Sequence, residues 1–130
     1  IYTGEDTLSL HDALPILSMP VPGLELASWI EARLGRRPLW CGDTGPDTVK
    51  RVAWCTGGGQ GMFADAVDLS VDAFITGEAS EYCCHLARES GVAFLAAGHH
   101  ATERFGVQSL TRWLREQGLD ARYVEIDNPI

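Results

Sequence analysis

The sequence predicts an α/β fold in which strands and helices alternate and build a mostly parallel or mixed sheet with helices on both faces. Three observations carry this. From Val49 onward, short apolar runs are separated by helical stretches of about ten residues, the spacing of strand–helix–strand crossovers. The runs Val52-Ala53-Trp54, Ala73-Phe74-Ile75-Thr76 and Val92 to Ala97 are apolar almost throughout rather than alternating, as strands covered on both faces are. Gly57, Gly77 and Gly98 punctuate the points where the chain would leave the carboxyl end of a strand.

The elements follow in order. Pro20-Val21-Pro22 reads as a stiff extended entry. Leu24 to Leu34 has apolar residues at Leu26, Ile30 and Leu34 together with Trp29, a helical spacing, and Gly35 can end it. Pro38 to Cys41 is a short strand, and Gly42 to Asp47 is a loop. Val49 to Cys55 is a strand, Thr56 to Gly61 a glycine-rich turn and Met62 to Leu69 a helix. Ala73 to Thr76 is a strand, and Ser80 to Glu89 is a helix closed by Gly91. Val92 to Ala96 is the next strand, and Ala101 to Gln117 is a helix ending at Gly118. Arg122 to Ile126 is expected as a last strand, stopped by Asn128-Pro129. Phe74, Phe94, Trp29 and Trp113 fall at core spacing, and Trp40 and Trp54 sit in strands.

The first sixteen residues read differently. Back-translated, Thr7 to Ile16 fits ACT-CTT-TCC-CTA-CAC-GAC-GCT-CTT-CCG-ATC, which resembles a common short-read sequencing adapter in frame, and Ile1-Tyr2-Thr3 fits its flank. Residues 1–16 are therefore expected to be a translated artefact, with His11-Asp12 set aside as chemistry and residues 17–130 forming the natural part, cut upstream of Leu17.

Composition narrows the function. With 130 residues there is room for one domain, and 45% hydrophobic with 22% charged residues suits a globular chain. A net charge of -8, with Lys and Arg scattered, argues against a nucleic-acid face, which needs a basic stripe. No apolar run approaches the roughly 20 residues of a membrane span. Cys83 and Cys84 are adjacent, unlike a metal or redox C-x-x-C pair, so the four cysteines are expected to be small core residues in a reducing, cytoplasmic setting.

Three segments at the carboxyl ends of strands, where open α/β sheets bind ligands, can carry chemistry. His99 and Glu103 are four apart at a helix start, and imidazole with carboxylate suits zinc, iron or manganese. The alternative is a helix start in which Thr102 or His100 caps and Glu103 offsets the dipole. Gly57, Gly58, Gly59 and Gly61 form either a plain tight turn or a backbone seat for an anion or substrate, though neither a Walker loop nor a G-x-G-x-x-G motif is present. Glu78 stands at a strand end, as an acid with a partner would, and Glu81 and His85 are four apart on the next helix.

Taken together, Arg51-Val52-Ala53-Trp54-Cys55-Thr56-Gly57-Gly58-Gly59-Gln60-Gly61, Thr76-Gly77-Glu78, Gly98-His99-His100-Ala101-Thr102-Glu103-Arg104 and Ile126-Asp127-Asn128-Pro129 resemble the dinuclear metal-centre hexameric proteins known as GTP cyclohydrolase I type 2 homologs. The resemblance spans residues 17–130. It implies the C-terminal part of a larger two-lobed α/β protein assembling as a toroidal hexamer. It also implies two divalent metals, with His99 and Glu103 as ligands from this half and histidines and an aspartate from an N-terminal half that has no counterpart here. The activity implied is metal-dependent hydrolysis of a nucleotide, the opening of the GTP ring, with Glu78 as orienter or general base; a non-catalytic metal-binding oligomer is the alternative. With half of the ligands missing, tight metal binding by this chain alone is not expected.

Overall fold

The computed structural model describes residues 16–42 and 46–129. Five strands, Ile16–Pro22 (β1), Leu39–Cys41 (β2), Thr48–Cys55 (β3), Ala73–Thr76 (β4) and Ala93–Ala96 (β5), form one sheet in the order β1-β3-β4-β5-β2. The helices are Gly23–Leu34 (α1), Phe63–Asp68 (α2), Glu81–Ser90 (α3) and His99–Glu116 (α4). β3, β4 and β5 are parallel, and both edge strands run antiparallel to their neighbours. The mixed sheet expected from the sequence is present. The adapter reading falls almost wholly on residues outside those described; Ile16, its last member, is the first residue of β1 and pairs with Arg51.

Residues of the central strands alternate between two cores. Ala53, Phe74, Phe94 and Ala96 face Phe63, Ala66, Cys83 and Ala87 of α2 and α3. Phe63, Phe74 and Phe94 are fully buried there, with ring centroids 4.8 to 6.0 Å apart. On the other face Val52, Ala73, Ala93 and Leu95 join Val21 of β1 and Leu26 of α1. Each strand therefore buries both sets of side chains, which is why the runs lack polar alternation. Gly35 and Gly91 end α1 and α3 in the left-handed conformation, at φ 73° and 74°.

Several expectations are corrected. Pro20-Val21-Pro22 is not merely an entry but the end of β1; an edge strand tolerates proline because its outer N–H groups need no partner. Arg122 to Ile126 is not a strand. Beyond Gly118 the chain is irregular, Val124 and Ile126 are exposed, and cationic side chains rather than a ladder hold it. Phe74 and Phe94 are core, but Trp29, Trp54 and Trp113 are about half exposed, at 47%, 46% and 55%, and Trp40 is half-buried against the second core. Trp29 and Trp54 instead flank an apolar groove of about 360 Å³ with Ile30, Ile75 and Phe105. Cys41 and Cys84, expected as free thiols, are joined as a disulfide that ties β2 to α3 with their Cα atoms 5.0 Å apart, whereas Cys55 and Cys83 are free.

Candidate metal centre

The three segments singled out in the sequence meet at the carboxyl edge of β3, β4 and β5. Helix α4 begins at His99, not at Ala101, because Gly98 adopts φ 99° and turns the chain directly from β5 into the helix. Neither Thr102 nor His100 caps it; the N-cap is Gly98. With the first turn helical, His99 and Glu103 lie on one face, and His99 Nε2 is 3.0 Å from Glu103 Oε2. The other ring nitrogen, Nδ1, is 2.5 Å from Glu78 Oε1.

Glu78 thus grips the imidazole from the turn after β4, and it also accepts a hydrogen bond of 3.3 Å from Gln60 Nε2. This pair shifts both groups. The Glu78 contact, with the negative charge of Glu103, raises the His99 pKa above its ordinary value although burial opposes it. The His99 hydrogen bond lowers that of Glu78. All three side chains stay substantially open to solvent, at 38% to 51% of their surface.

The glycine turn is the floor of this arrangement. Gly57 has φ 67°, and a Cβ placed there would overlap the Glu103 carboxylate and lie 3.1 Å from His99 Nε2. A Cβ on Gly77 would meet Gly57 O at 2.6 Å and the His99 backbone at 2.7 Å. Only backbone fits at either point. Two threonines then lock the turn. Buried Thr76 Oγ1 accepts from Gly59 N (3.0 Å) and donates to Gly57 O (3.1 Å), while Thr102 Oγ1 accepts from Gly57 N (3.0 Å) and donates to His99 O (3.0 Å). The amides of Gly57 and Gly59 are therefore spent on protein acceptors. No Cβ neighbour lies within 4 Å of Gly61. Glu81 and His85 lie exposed on α3.

His99 Nε2 and Glu103 Oε2 are close enough to share one cation, and their chemistry suits zinc, iron or manganese. Two donors are an incomplete set. Among the described residues no group of three or more His, Cys, Asp and Glu side chains is arranged to hold a metal. The residues fit half of a centre. Thr76 and Gln60 were not given a role by sequence reasoning, and Thr102 was read as a possible helix cap rather than as a tie to Gly57.

A second cavity, of about 460 Å³, opens on this pair. Glu78, His99, His100, Glu103, Arg104 and Tyr123 line it, so the C-terminal segment after α4 forms one wall.

The Salmonella typhimurium protein named GTP cyclohydrolase 1 type 2 homolog is 67% identical over 114 residues, 87% of this chain and 46% of that protein. The Haemophilus influenzae protein of the same name is 48% identical over 87% of this chain and 45% of its own length. The chain thus spans about half the length of these relatives. The solved structure of protein ybgI, described as of unknown function, superposes with a TM-score of 0.85 at 64% identity, covering 90% of this chain and 48% of that one. The Thermus thermophilus protein TTHA1606 gives 0.72 at 28% identity, covering 90% and 44%. The Duf34/NIF3 (NGG1p interacting factor 3) family matches over residues 14–129, and the chain belongs to that family.

Proposed function

We propose that the chain is the C-terminal half of a dinuclear metal-dependent hydrolase with GTP cyclohydrolase-type activity in the intact protein. One observation carries the reading. His99 is held at Nδ1 by a carboxylate while Nε2 converges with a second carboxylate one helical turn away. That is the pattern by which proteins orient metal-binding histidines. The relatives' name supports the nucleotide substrate.

In this reading His99 and Glu103 hold one of two divalent ions, and ligands outside this chain complete the centre. Bound metals would supply the Lewis acidity that brings the pKa of water toward neutrality. Glu78 is the positioning residue: it fixes the tautomer and orientation of His99 and raises its basicity, and its bond to that ring leaves it poorly placed as a general base. The turn from Gly57 to Gly61 is the backbone floor on which the substrate rests. The exposed apolar residues of α4, namely Phe105, Val107, Leu110 and Trp113, support burial against the remaining half or further copies in a homo-oligomer, a hexamer in this proposal. A cytoplasmic setting belongs to the same proposal; among the described residues no helix is long and apolar enough to cross a membrane.

The test is GTP turnover by the full-length protein with and without a chelator, in wild type and in His99→Ala. Chelator-sensitive turnover lost in His99→Ala is expected; no metal-dependent turnover of GTP would refute the hydrolase. The second reading, a non-catalytic metal-binding oligomer, draws on the solvent-open pair and the apolar face of α4. It predicts metal binding by the full-length protein without turnover.

A further inference from the structure

Helix α4 carries a second pair four residues apart, one position along from the first: His100 and Arg104. Both line the cavity that His99 and Glu103 line. Both point at one acceptor, Glu125 of the irregular C-terminal tail, whose Oε1 lies 3.0 Å from His100 Nε2 and 3.4 Å from Arg104 Nη1. A third side chain joins them. Arg36, which lies over Gly98, donates from Nη1 to Pro129 O at 2.8 Å. Two side chains of α4 and one from the loop after α1 therefore grip acceptors of a tail that has no ladder of its own among the described residues.

We propose that His100 and Arg104 form a phosphate-binding subsite of this cavity, and that Glu125 is its resident counter-ion, displaced when the phosphate group of a substrate arrives.

The chemistry favours exchange. Glu125, itself about half open to solvent, meets Arg104 through one guanidinium nitrogen at 3.4 Å, so that contact is weak and its closer partner is His100 at 3.0 Å. Arg104 Nη2 is anchored on Leu34 O at 2.6 Å, which keeps the guanidinium in place when the tail leaves. Its Nε is buried without an acceptor among the described residues. A phosphate offers more oxygens and more charge than one carboxylate oxygen, and guanidinium binds it in a fork. The subsite lies next to His99 and Glu103, so a phosphate held here places the rest of a nucleotide against that pair. No bond is made or broken; one anion replaces another.

The inference rests on the hydrolase reading for the identity of the substrate, but its test does not use turnover. Pyrophosphate is titrated calorimetrically into the full chain, with and without EDTA. Binding is expected to persist in EDTA, to tighten about fivefold in Glu125→Gln, and to weaken about fivefold or more in His100→Gln and Arg104→Gln. The Glu125 carboxyl carbon resonance is expected to move toward its free position as pyrophosphate is added. Because Arg104 also holds α1, its circular dichroism is checked, and His100→Gln carries the test if Arg104→Gln does not fold. Absence of pyrophosphate binding, binding abolished by EDTA, or equal affinity in wild type and Glu125→Gln would overturn the proposal. Failure of GTP turnover with these results intact would remove the hydrolase reading alone.

Discussion

Thr76 tests how the site is held. Its side chain is fully buried at the end of β4, and its hydroxyl accepts from Gly59 N and donates to Gly57 O. Replacing it with valine keeps the volume and β propensity and removes both bonds. The Gly59 N–H, in a buried residue, is then left without its acceptor, which costs about 1–3 kcal/mol. Gly57 O keeps its bond from Gly77 N at 2.8 Å, so its loss is smaller, about 0.5–1 kcal/mol. The sum, about 1.5–4 kcal/mol, corresponds to a fall in Tm of about 5–15 °C for a chain of this size. Thr76→Ser keeps the hydroxyl and loses only a methyl group, about 1 kcal/mol. Urea unfolding monitored by circular dichroism measures both variants. The reasoning is refuted if Thr76→Val is as stable as wild type, or if Thr76→Ser loses more than Thr76→Val.

Gly57→Ala should cost about 1–2 kcal/mol for the left-handed backbone and should also displace Glu103, so zinc affinity in the full-length protein falls even where folding survives; equal zinc affinity would refute the close packing. The disulfide between Cys41 and Cys84 closes a separation of 43 residues, so Cys84→Ser should lower unfolding stability by about 4 kcal/mol under non-reducing conditions, and thiol titration of the denatured wild type should find two free thiols. Four titratable thiols without reductant would refute it. The His99–Glu78 pair makes stability depend on pH in a defined sense. A raised His99 pKa contributes fully below the ordinary 6.5 and fades as pH rises through the raised value, whereas a lowered Glu78 pKa contributes above 4.5 and fades as pH falls through the lowered value. The pair therefore contributes most between those two ordinary values, and Glu78→Gln should flatten the stability profile there and bring the His99 pKa, followed by NMR in metal-free protein, back down.

Much of the central sheet was legible because β4, β5 and the second half of β3 are short apolar runs, each followed closely by a glycine turn, and burial on both faces removes polar alternation. β1 was not, because proline masks a strand wherever the strand is an edge. Arg122 to Ile126 misled for the opposite reason: its β-branched residues satisfy propensity, yet no strand pairs with it among the described residues, and side-chain contacts to Glu125 and Pro129 hold the segment instead. The tryptophans were misjudged because spacing assigns a face but not a partner; Trp29 and Trp54 lie on the sheet face that α1 covers only in part. At the site, His99, Glu103 and Glu78 stood out by residue type. Thr76 did not, because a hydroxyl that ties a turn to a strand leaves no mark distinct from ordinary β propensity, and Thr102 was read as a cap of α4 rather than as an acceptor for Gly57 N.

The geometry also explains how the His99 imidazole is oriented. A histidine has two nitrogens, and here each is engaged by a different element: Glu78, from the turn after β4, takes Nδ1, and Glu103, one turn along α4, faces Nε2. The ring's orientation is thus set by residues of this chain, and the glycines at 57 and 77 let the two turns approach closely enough for it. When Nδ1–H donates to Glu78, Nε2 is free to bind a metal; when Nε2 is also protonated, Glu103 is its partner. A metal at Nε2 would compete with the proton there, and the raised His99 pKa would extend that competition to higher pH than for an isolated imidazole. Glu78 would act on both sides of that balance, since the contact that orients the ring is also the one that holds its proton.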